Sequence, residues 1–117
     1  MMKLILNGDA KNKQGNLQGI YSLGERLVNS HPFWEQINGS NAVWFKGRSW
    51  HITEKQYLGK AFADIWGPRG IDRSPTQIIN GWRYADYNGI WKDTFASEII
   101  FKDLTPGKHF FKVVIHY

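Results

Sequence analysis

Along most of the chain, apolar and polar residues alternate with a period of two, which predicts β-strands rather than helices. In the segment 49–53, Trp50 and Ile52 fall on one face of the predicted strand and His51 falls on the other. The segment 111–117 alternates in the same way. Such segments are rich in aromatic and β-branched residues and end at Gly, Asn, Asp or Pro, which favour turns. The pattern is typical of an all-β protein.

Three tryptophans lie in the twenty residues FWEQINGSNAVWFKGRSWHI (33–52), which two glycine-bearing breaks divide into three parts. Asn38-Gly39 suits a tight hairpin turn, because Asn and Gly tolerate a positive φ. Lys46-Gly47-Arg48 suits a second turn. We therefore predict a three-stranded meander in which Trp34 and Trp44 lie on neighbouring strands and form a cross-strand aromatic pair. Their strands are apolar on both faces, so each face is either covered or serves as a binding surface.

The remaining segments are less regular. The segment 7–19 is polar and contains glycine, which predicts a surface loop. The segment 53–66 allows a helix, but Gly59 favours a turn at 54–59 followed by a strand. The segment 67–77 contains two prolines, two glycines and two arginines, so it is predicted to be a loop, and loops often carry binding residues.

These elements predict one all-β domain over residues 1–117, a small antiparallel meander that forms a sandwich or open barrel of about eight to ten short strands. In so short a chain, the C-terminal strands are expected to supply the second layer that covers the meander. The predicted core residues are Trp50, Ile52, Trp82, Phe101, Val113 and Ile115.

Composition narrows the classes of protein that the chain can belong to. The 117 residues include no cysteine, so a disulfide and a thiolate metal site are excluded. No stretch approaches the roughly 18 apolar residues of a membrane span, and the N-terminus is too short to be a secretory leader. We expect a soluble cytoplasmic protein with no membrane partner, and a secreted protein whose leader has been removed is the alternative. The net charge of +5 is spread along the chain rather than clustered.

The sequence contains no recognisable catalytic constellation. The four histidines lack the spacing of a metal site on a helix, and His51 and His116 fall on strand faces that are expected to be solvent-exposed. There is no Gly-x-Ser-x-Gly nucleophile elbow, and Gly59-Lys60 lacks the upstream glycine of a phosphate loop. We therefore expect a protein that is not an enzyme and that binds no cofactor and no metal.

Aromatic residues make up 15% of the chain, which is more than a minimal core needs. We expect some of them to line a recognition surface near residues 66–87, with Trp66 as the ring most open to a ligand. Trp34 or Trp44 is expected to be partly exposed as well. The candidate ligand-binding residues are Trp66, Arg69, Arg73, Tyr84, Asp86, Tyr87, Trp34 and Trp44.

We expect the partner to be a protein, with a glycan as the alternative and single-stranded nucleic acid as the second alternative. The sequence is also compatible with a homo-oligomer. Nucleic acid binding is favoured by aromatic and basic side chains on one face. Trp82-Arg83-Tyr84 does not provide that arrangement, because Arg83 faces away from its two aromatic neighbours. Trp44 and Lys46 do share a face, and Arg48 is close by in sequence.

The spacing of tryptophan, glycine and proline resembles that of a tryptophan-rich β module that occurs in invertebrate and protist proteins. The resemblance covers about residues 19–103 and depends on Gly19-Ile-Tyr21, Val28-Asn29, Pro32-Phe-Trp34, Gln36, Gly39, Trp44, Trp50-His-Ile52, Gly59, Pro75, Trp82-Arg-Tyr84 and Trp91. The chain departs from the module at Thr53, where the module has glycine, and it lacks the paired cysteines of some members. The resemblance implies a single β-rich domain and no particular chemistry.

Overall fold

The computed structural model describes residues 1–60 and 63–104, and within these residues the chain forms one sheet of nine strands. One α-helix, α1 (Gly8–Gln14), lies in this part of the chain, together with short 3-10 turns at Gly15–Leu17, Lys55–Tyr57 and Pro75–Gln77. In chain order the strands are β1 (Met2–Leu6), β2 (Gly19–Leu23), β3 (Trp34–Gln36), β4 (Asn41–Lys46), β5 (Ser49–Glu54), β6 (Ile65–Trp66), β7 (Arg83–Ala85), β8 (Trp91–Asp93) and β9 (Ile99–Asp103).

The sheet is an antiparallel meander with the strand order β8-β7-β6-β5-β4-β3-β2-β1-β9. Strands that follow one another in the chain are neighbours from β1 to β8, and β9 returns to pair with the free edge of β1. The sheet curls into an open half-barrel. The predicted all-β fold is confirmed. None of the helices in the described ranges 1–60 and 63–104 is long and apolar enough to cross a membrane.

The concave face of the curled sheet, here called the inner face, carries the main core. Strand register brings the inward residues opposite one another: Val43 pairs with Ile52, Phe45 pairs with Trp50, and Ile52 pairs with Ile65. The predicted core positions Trp50, Ile52, Trp82 and Phe101 are all buried, as expected from their alternation. The predicted core residues Val113 and Ile115 lie outside the described residues.

The prediction of a surface loop over 7–19 is wrong, because this segment forms α1 and a 3-10 turn against the core. Ala10 and Leu17 are both fully buried. The hydroxyl of Tyr84 on β7 donates a hydrogen bond to Asp9, and the amide of Gln14 donates to the carbonyl of Ala85 at 2.8 Å. The helix thereby joins β1 to the far side of the half-barrel.

Trp82 fills the gap between the two ends of the sheet. Its ring lies 4.9 Å from the ring of Phe101 on β9, and its indole N–H donates to the carbonyl of Ile78 at 3.1 Å. The hydroxyl of Thr94 donates to the Trp82 carbonyl at 2.7 Å. The hydrogen bonds fix Trp82 beside β7 and β8, and its ring contact with Phe101 ties this end of the sheet to β9, although the two edge strands do not pair.

The convex outer face is covered over its centre by a second, smaller apolar cluster. Trp44 and Ala42 of β4 pack there with Val28 and Phe33, and Leu58 lies against them. The covering layer in the described residues therefore comes from the β2–β3 connection and from Leu58, whereas the C-terminal strands were expected to supply it. Val28 and Phe33 are the two buried residues of the β2–β3 connection, and they are five positions apart. This spacing matches neither a strand nor a helix period, so the sequence did not indicate that the connection covers the sheet.

The three-stranded meander predicted for 33–52 is confirmed as β3, β4 and β5. The turn and following strand predicted after residue 53 correspond to the 3-10 turn and β6. The expected pair of Trp34 with Trp44 does not form, because register places Trp34 opposite Val43. Trp34 faces inward and is half-buried against Trp50, whereas Trp44 faces outward and is fully buried.

Candidate ligand-binding site

Four aromatic rings form a continuous row across the outer face. Trp44 lies opposite His51 in the β4–β5 register, and His51 lies opposite Trp66 in the β5–β6 register. The ring centres of successive members, ending with Trp91 on β8, are 5.3, 5.2 and 5.5 Å apart. Trp44 and His51 are buried, while Trp66 and Trp91 are half-buried. We call these four residues the aromatic row, and its Trp66–Trp91 end is open to solvent.

A buried serine orients the middle of the aromatic row. The indole N–H of Trp66 donates a hydrogen bond to the Ser49 hydroxyl, and this oxygen lies 3.3 Å from Nε2 of His51. The expected solvent exposure of His51 is therefore wrong, since its ring is sandwiched between Trp44 and Trp66. Trp66 is thus fixed by Ser49 and by the His51 ring, and Trp91 packs edge-on against Trp66.

The open end of the aromatic row borders a concave site of about 480 Å³, here called the outer pocket. The rings of His51, Trp66 and Trp91 form its apolar wall. Its other wall is the β4–β5 turn and the loop after β6, and it carries three cationic side chains, which are Lys46, Arg48 and Arg69. The described residues that line the outer pocket include no carboxylate.

Backbone contacts place the cations beside the rings. The amide of Gly70 donates to the carbonyl of Arg48 at 2.7 Å, which fastens the 67–77 loop to the β4–β5 turn. Gly70 has a φ of +80°, a conformation that side chains rarely adopt. The guanidinium of Arg69 then lies 5.8 Å from the ring centre of Trp66, within the range of a cation–π contact.

A second depression of about 410 Å³, here called the flanking pocket, lies on the other side of Trp66. It shares Trp66 and Arg69 with the outer pocket and is closed at its far end by Arg83 and Asp93. Arg83 lies directly opposite Trp66 in the β6–β7 register. Its Nε is 2.9 Å from an oxygen of Asp93, and both side chains are largely exposed.

The structure brings two of the predicted site residues, Trp66 and Arg69, into the outer pocket. Trp44 belongs to the aromatic row but is fully buried, so its ring is closed to a ligand. Trp34 packs on the opposite face of the sheet against Trp50. Trp66 is thus the predicted ring whose position fits recognition on the outer face.

The other predicted site residues lie elsewhere. The Arg73 carbonyl accepts the indole N–H of Trp50 at 2.8 Å, and its side chain lies at a separate exposed depression. Tyr84 is buried against α1, where burial and its hydrogen bond to Asp9 raise its pKa to about 12. Both are therefore absent from the site described above.

Asp86 and Tyr87 belong to the β7–β8 turn. The Asp86 carboxylate accepts the backbone N–H groups of Ile90 and Asn88, each at 2.9 Å, and these bonds lower its pKa. The Tyr87 hydroxyl donates to the carbonyl of Asn12 at 2.9 Å. Their polar atoms hold the turn and fasten it to α1, away from the outer pocket.

Ser49, His51 and Trp91 line the outer pocket but were not predicted as site residues, and Lys46 and Arg48 were noted only for the nucleic acid alternative. The hairpin signal at Gly47 was visible, and it implies that Trp44 faces His51. The approach of Trp66 and Trp91 was not visible, because it depends on register between segments that are far apart in sequence. Among residues 1–60 and 63–104, no cluster of three or more His, Asp or Glu side chains could hold a metal ion.

Comparisons of the chain with protein-family models, with curated proteins and with solved structures find no match. The resemblance to a tryptophan-rich β module stays a prediction.

Proposed function

We propose that the protein is a binding module, rather than an enzyme, and that its ligand combines a flat ring with an anionic group in the outer pocket. The observation that carries this proposal is the meeting of two partly exposed indole rings, those of Trp66 and Trp91, with three cations around one pocket. Indole faces stack on flat rings, and clustered cations attract an anion. The sequence alone favoured a protein partner. The three cations of the outer pocket favour a ligand that carries a negative charge.

The size and rigidity of the outer pocket support the same proposal. A volume of about 480 Å³ lies in the range of small-molecule sites. Ser49 holds Trp66, and the Gly70 amide holds the loop that carries Arg69. Because Trp66 and the loop that carries Arg69 are already ordered, the protein loses less conformational entropy when a ligand binds.

The first test of this proposal follows the indole N–H signals of the six tryptophans by NMR during titration with small probes. Adenosine 5′-monophosphate and phosphotyrosine, which have a ring and an anion, are expected to shift the Trp66 and Trp91 signals. Adenosine alone and inorganic phosphate alone are expected to bind at least about ten-fold more weakly, because each lacks one of the two required groups, and glucose, which lacks both, is the negative control. The buried Trp82 signal serves as an internal control.

Trp91→Ala is expected to abolish the AMP response, and Tyr87→Ala is its matched control because it removes an exposed ring outside the pocket. If no probe shifts Trp66 or Trp91, or if Trp91→Ala binds AMP as the native protein does, the proposed function is wrong.

A further inference from the structure

We infer that the ligand is single-stranded nucleic acid, with successive nucleotides in the outer pocket and the flanking pocket on either side of Trp66. This inference rests on the proposed function, since it assigns the ring to a base and the anion to a backbone phosphate. The geometric basis is that the two pockets share one wall, made of Trp66 and Arg69. A ligand that fills both pockets passes over this wall, as two successive units of a nucleotide strand do.

Cationic side chains lie along the whole of that path. Lys46 and Arg48 stand at one end, Arg69 stands over the shared wall, and Arg83 stands at the far end. The ion pair of Arg83 with Asp93 is solvent-exposed, and such pairs are weak, so Arg83 can exchange this carboxylate for a phosphate. A ligand with evenly repeated negative charges matches this arrangement.

The rings and the cations lie on the same face of the sheet, which is the outer face. Residues that are adjacent in a strand point to opposite faces, so this surface is built from different strands. Arg83 points away from Trp82 and Tyr84, and that alternation argued against nucleic acid at the level of a single strand. In the sheet, however, Arg83 lies opposite Trp66, and Trp91 packs edge-on against Trp66 at 5.5 Å. Strand pairing therefore produces the interleaved aromatic and basic surface on which single strands stack.

Other polyanions fit this surface less well. A duplex keeps its base faces stacked on one another, so they are closed to Trp66 and Trp91. An acidic peptide supplies carboxylates but few flat rings, and a sulfated glycan supplies charge but no aromatic face. A nucleotide strand supplies one ring and one phosphate per unit, which is what two adjoining pockets of about 480 and 410 Å³ require.

The test measures fluorescence anisotropy of a labelled oligothymidylate of about eight nucleotides, a length within the site sizes of small single-strand binders. The oligonucleotide is expected to bind at least ten-fold more tightly than thymidine monophosphate and than the same sequence in a duplex. Affinity should fall with salt, with a slope of log K against log[salt] of about −0.7 for each phosphate contacted.

Variants separate stacking from charge. Trp91→Ala is expected to weaken oligonucleotide binding about ten-fold or more, which corresponds to the loss of one stacked base. Arg83→Ala should weaken the oligonucleotide and reduce the salt slope by about 0.7, and it should weaken the oligonucleotide more than AMP, because Arg83 lines the flanking pocket and not the outer pocket. Lys102→Ala, at an exposed position on β9, is the matched charge control and should change the affinity by less than two-fold.

Each contrary result identifies which proposal fails. If AMP binds but the oligonucleotide binds no more tightly and Arg83→Ala has no effect, nucleic acid is wrong and the proposed function stands. If a heparin fragment, an acidic peptide or the duplex binds better than the single strand, nucleic acid is likewise wrong. If neither AMP nor the oligonucleotide binds, both proposals fail. Circular dichroism of every variant establishes that the fold is retained.

Discussion

Tryptophan has two different roles in this protein, and burial decides between them. Trp82 is 1% exposed, and its indole N–H is bonded to a backbone carbonyl in the core. Trp91 is half-buried, and its aromatic contact is an edge-on approach to Trp66. Removal of the first ring leaves a cavity between the two ends of the sheet, whereas removal of the second opens the outer pocket.

The two tryptophans should therefore separate stability from binding. Trp82→Ala is expected to lower the free energy of unfolding by about 3–5 kcal/mol, the usual cost of truncating a buried large aromatic residue. Trp91→Ala is expected to lower it by less, about 1–2 kcal/mol, because this ring is only partly buried and loses its contact with Trp66. Urea denaturation measures both, and a loss for Trp91→Ala as large as that for Trp82→Ala would mean that Trp91 is a core residue.

Tyr84 gives a prediction about pH. Burial and the hydrogen bond to Asp9 raise its pKa from 10.0 to about 12, so the folded state favours the neutral phenol. The stability that this preference contributes is complete below pH 10 and is lost as the pH rises towards 12. Tyr84→Phe lacks the titrating group and should lose about 1 kcal/mol at neutral pH for the missing hydrogen bond.

The measurement is the free energy of unfolding of both proteins between pH 8 and pH 12. The advantage of the native protein over Tyr84→Phe should shrink above pH 10, while the contribution of the buried Tyr21 is common to both and cancels. A constant difference over this range would contradict the raised pKa of Tyr84.

At the scale of elements, local signals predicted the hairpins and missed the helix. The Asn38-Gly39 and Gly47 turns have residues whose backbone preference alone specifies a reversal, and both hairpins are present. α1 is polar apart from Ala10, so its sequence lacks an apolar stripe. Its position depends on partners on β7, which no local pattern reveals.

The loop after β6 is the element that joins the cations to the rings, and Gly70 sets its path. Gly70→Ala is expected to cost about 1–2 kcal/mol, because φ is +80° and an L side chain disfavours this conformation. Gly15→Ala is the matched control, since Gly15 has a φ of −58°. No described atom lies within 4 Å of an added Cβ at either position, so crowding does not distinguish them.

Gly70→Ala should also weaken AMP binding by several-fold, because Arg69 shifts when its loop does. Gly15→Ala should leave AMP binding unchanged and the stability equal or slightly higher. Thermal unfolding and the AMP titration measure these effects, and equal behaviour of the two variants would show that Gly70 does not position Arg69.

At the scale of the whole molecule, one curled sheet separates the inner face, which carries the main core, from the outer face, which carries the aromatic row. Alternation predicted the inward residues Trp50, Ile52, Trp82 and Phe101, and all are buried. The site was only partly predictable: Trp66 and Arg69 were identified from their loop, but Trp91 and His51 join them through strand register. Alternation assigns a residue to a face, and only the pairing of distant strands determines which residues on that face become neighbours.

The NMR titration with AMP is the decisive experiment for the outer pocket, because it observes the two open rings of the aromatic row individually. We expect the indole signals of Trp66 and Trp91 to move together, with a saturable response that Trp91→Ala removes, while the Trp82 signal stays in place. Unchanged Trp66 and Trp91 signals at saturating AMP would contradict the assignment of the outer face as the binding surface.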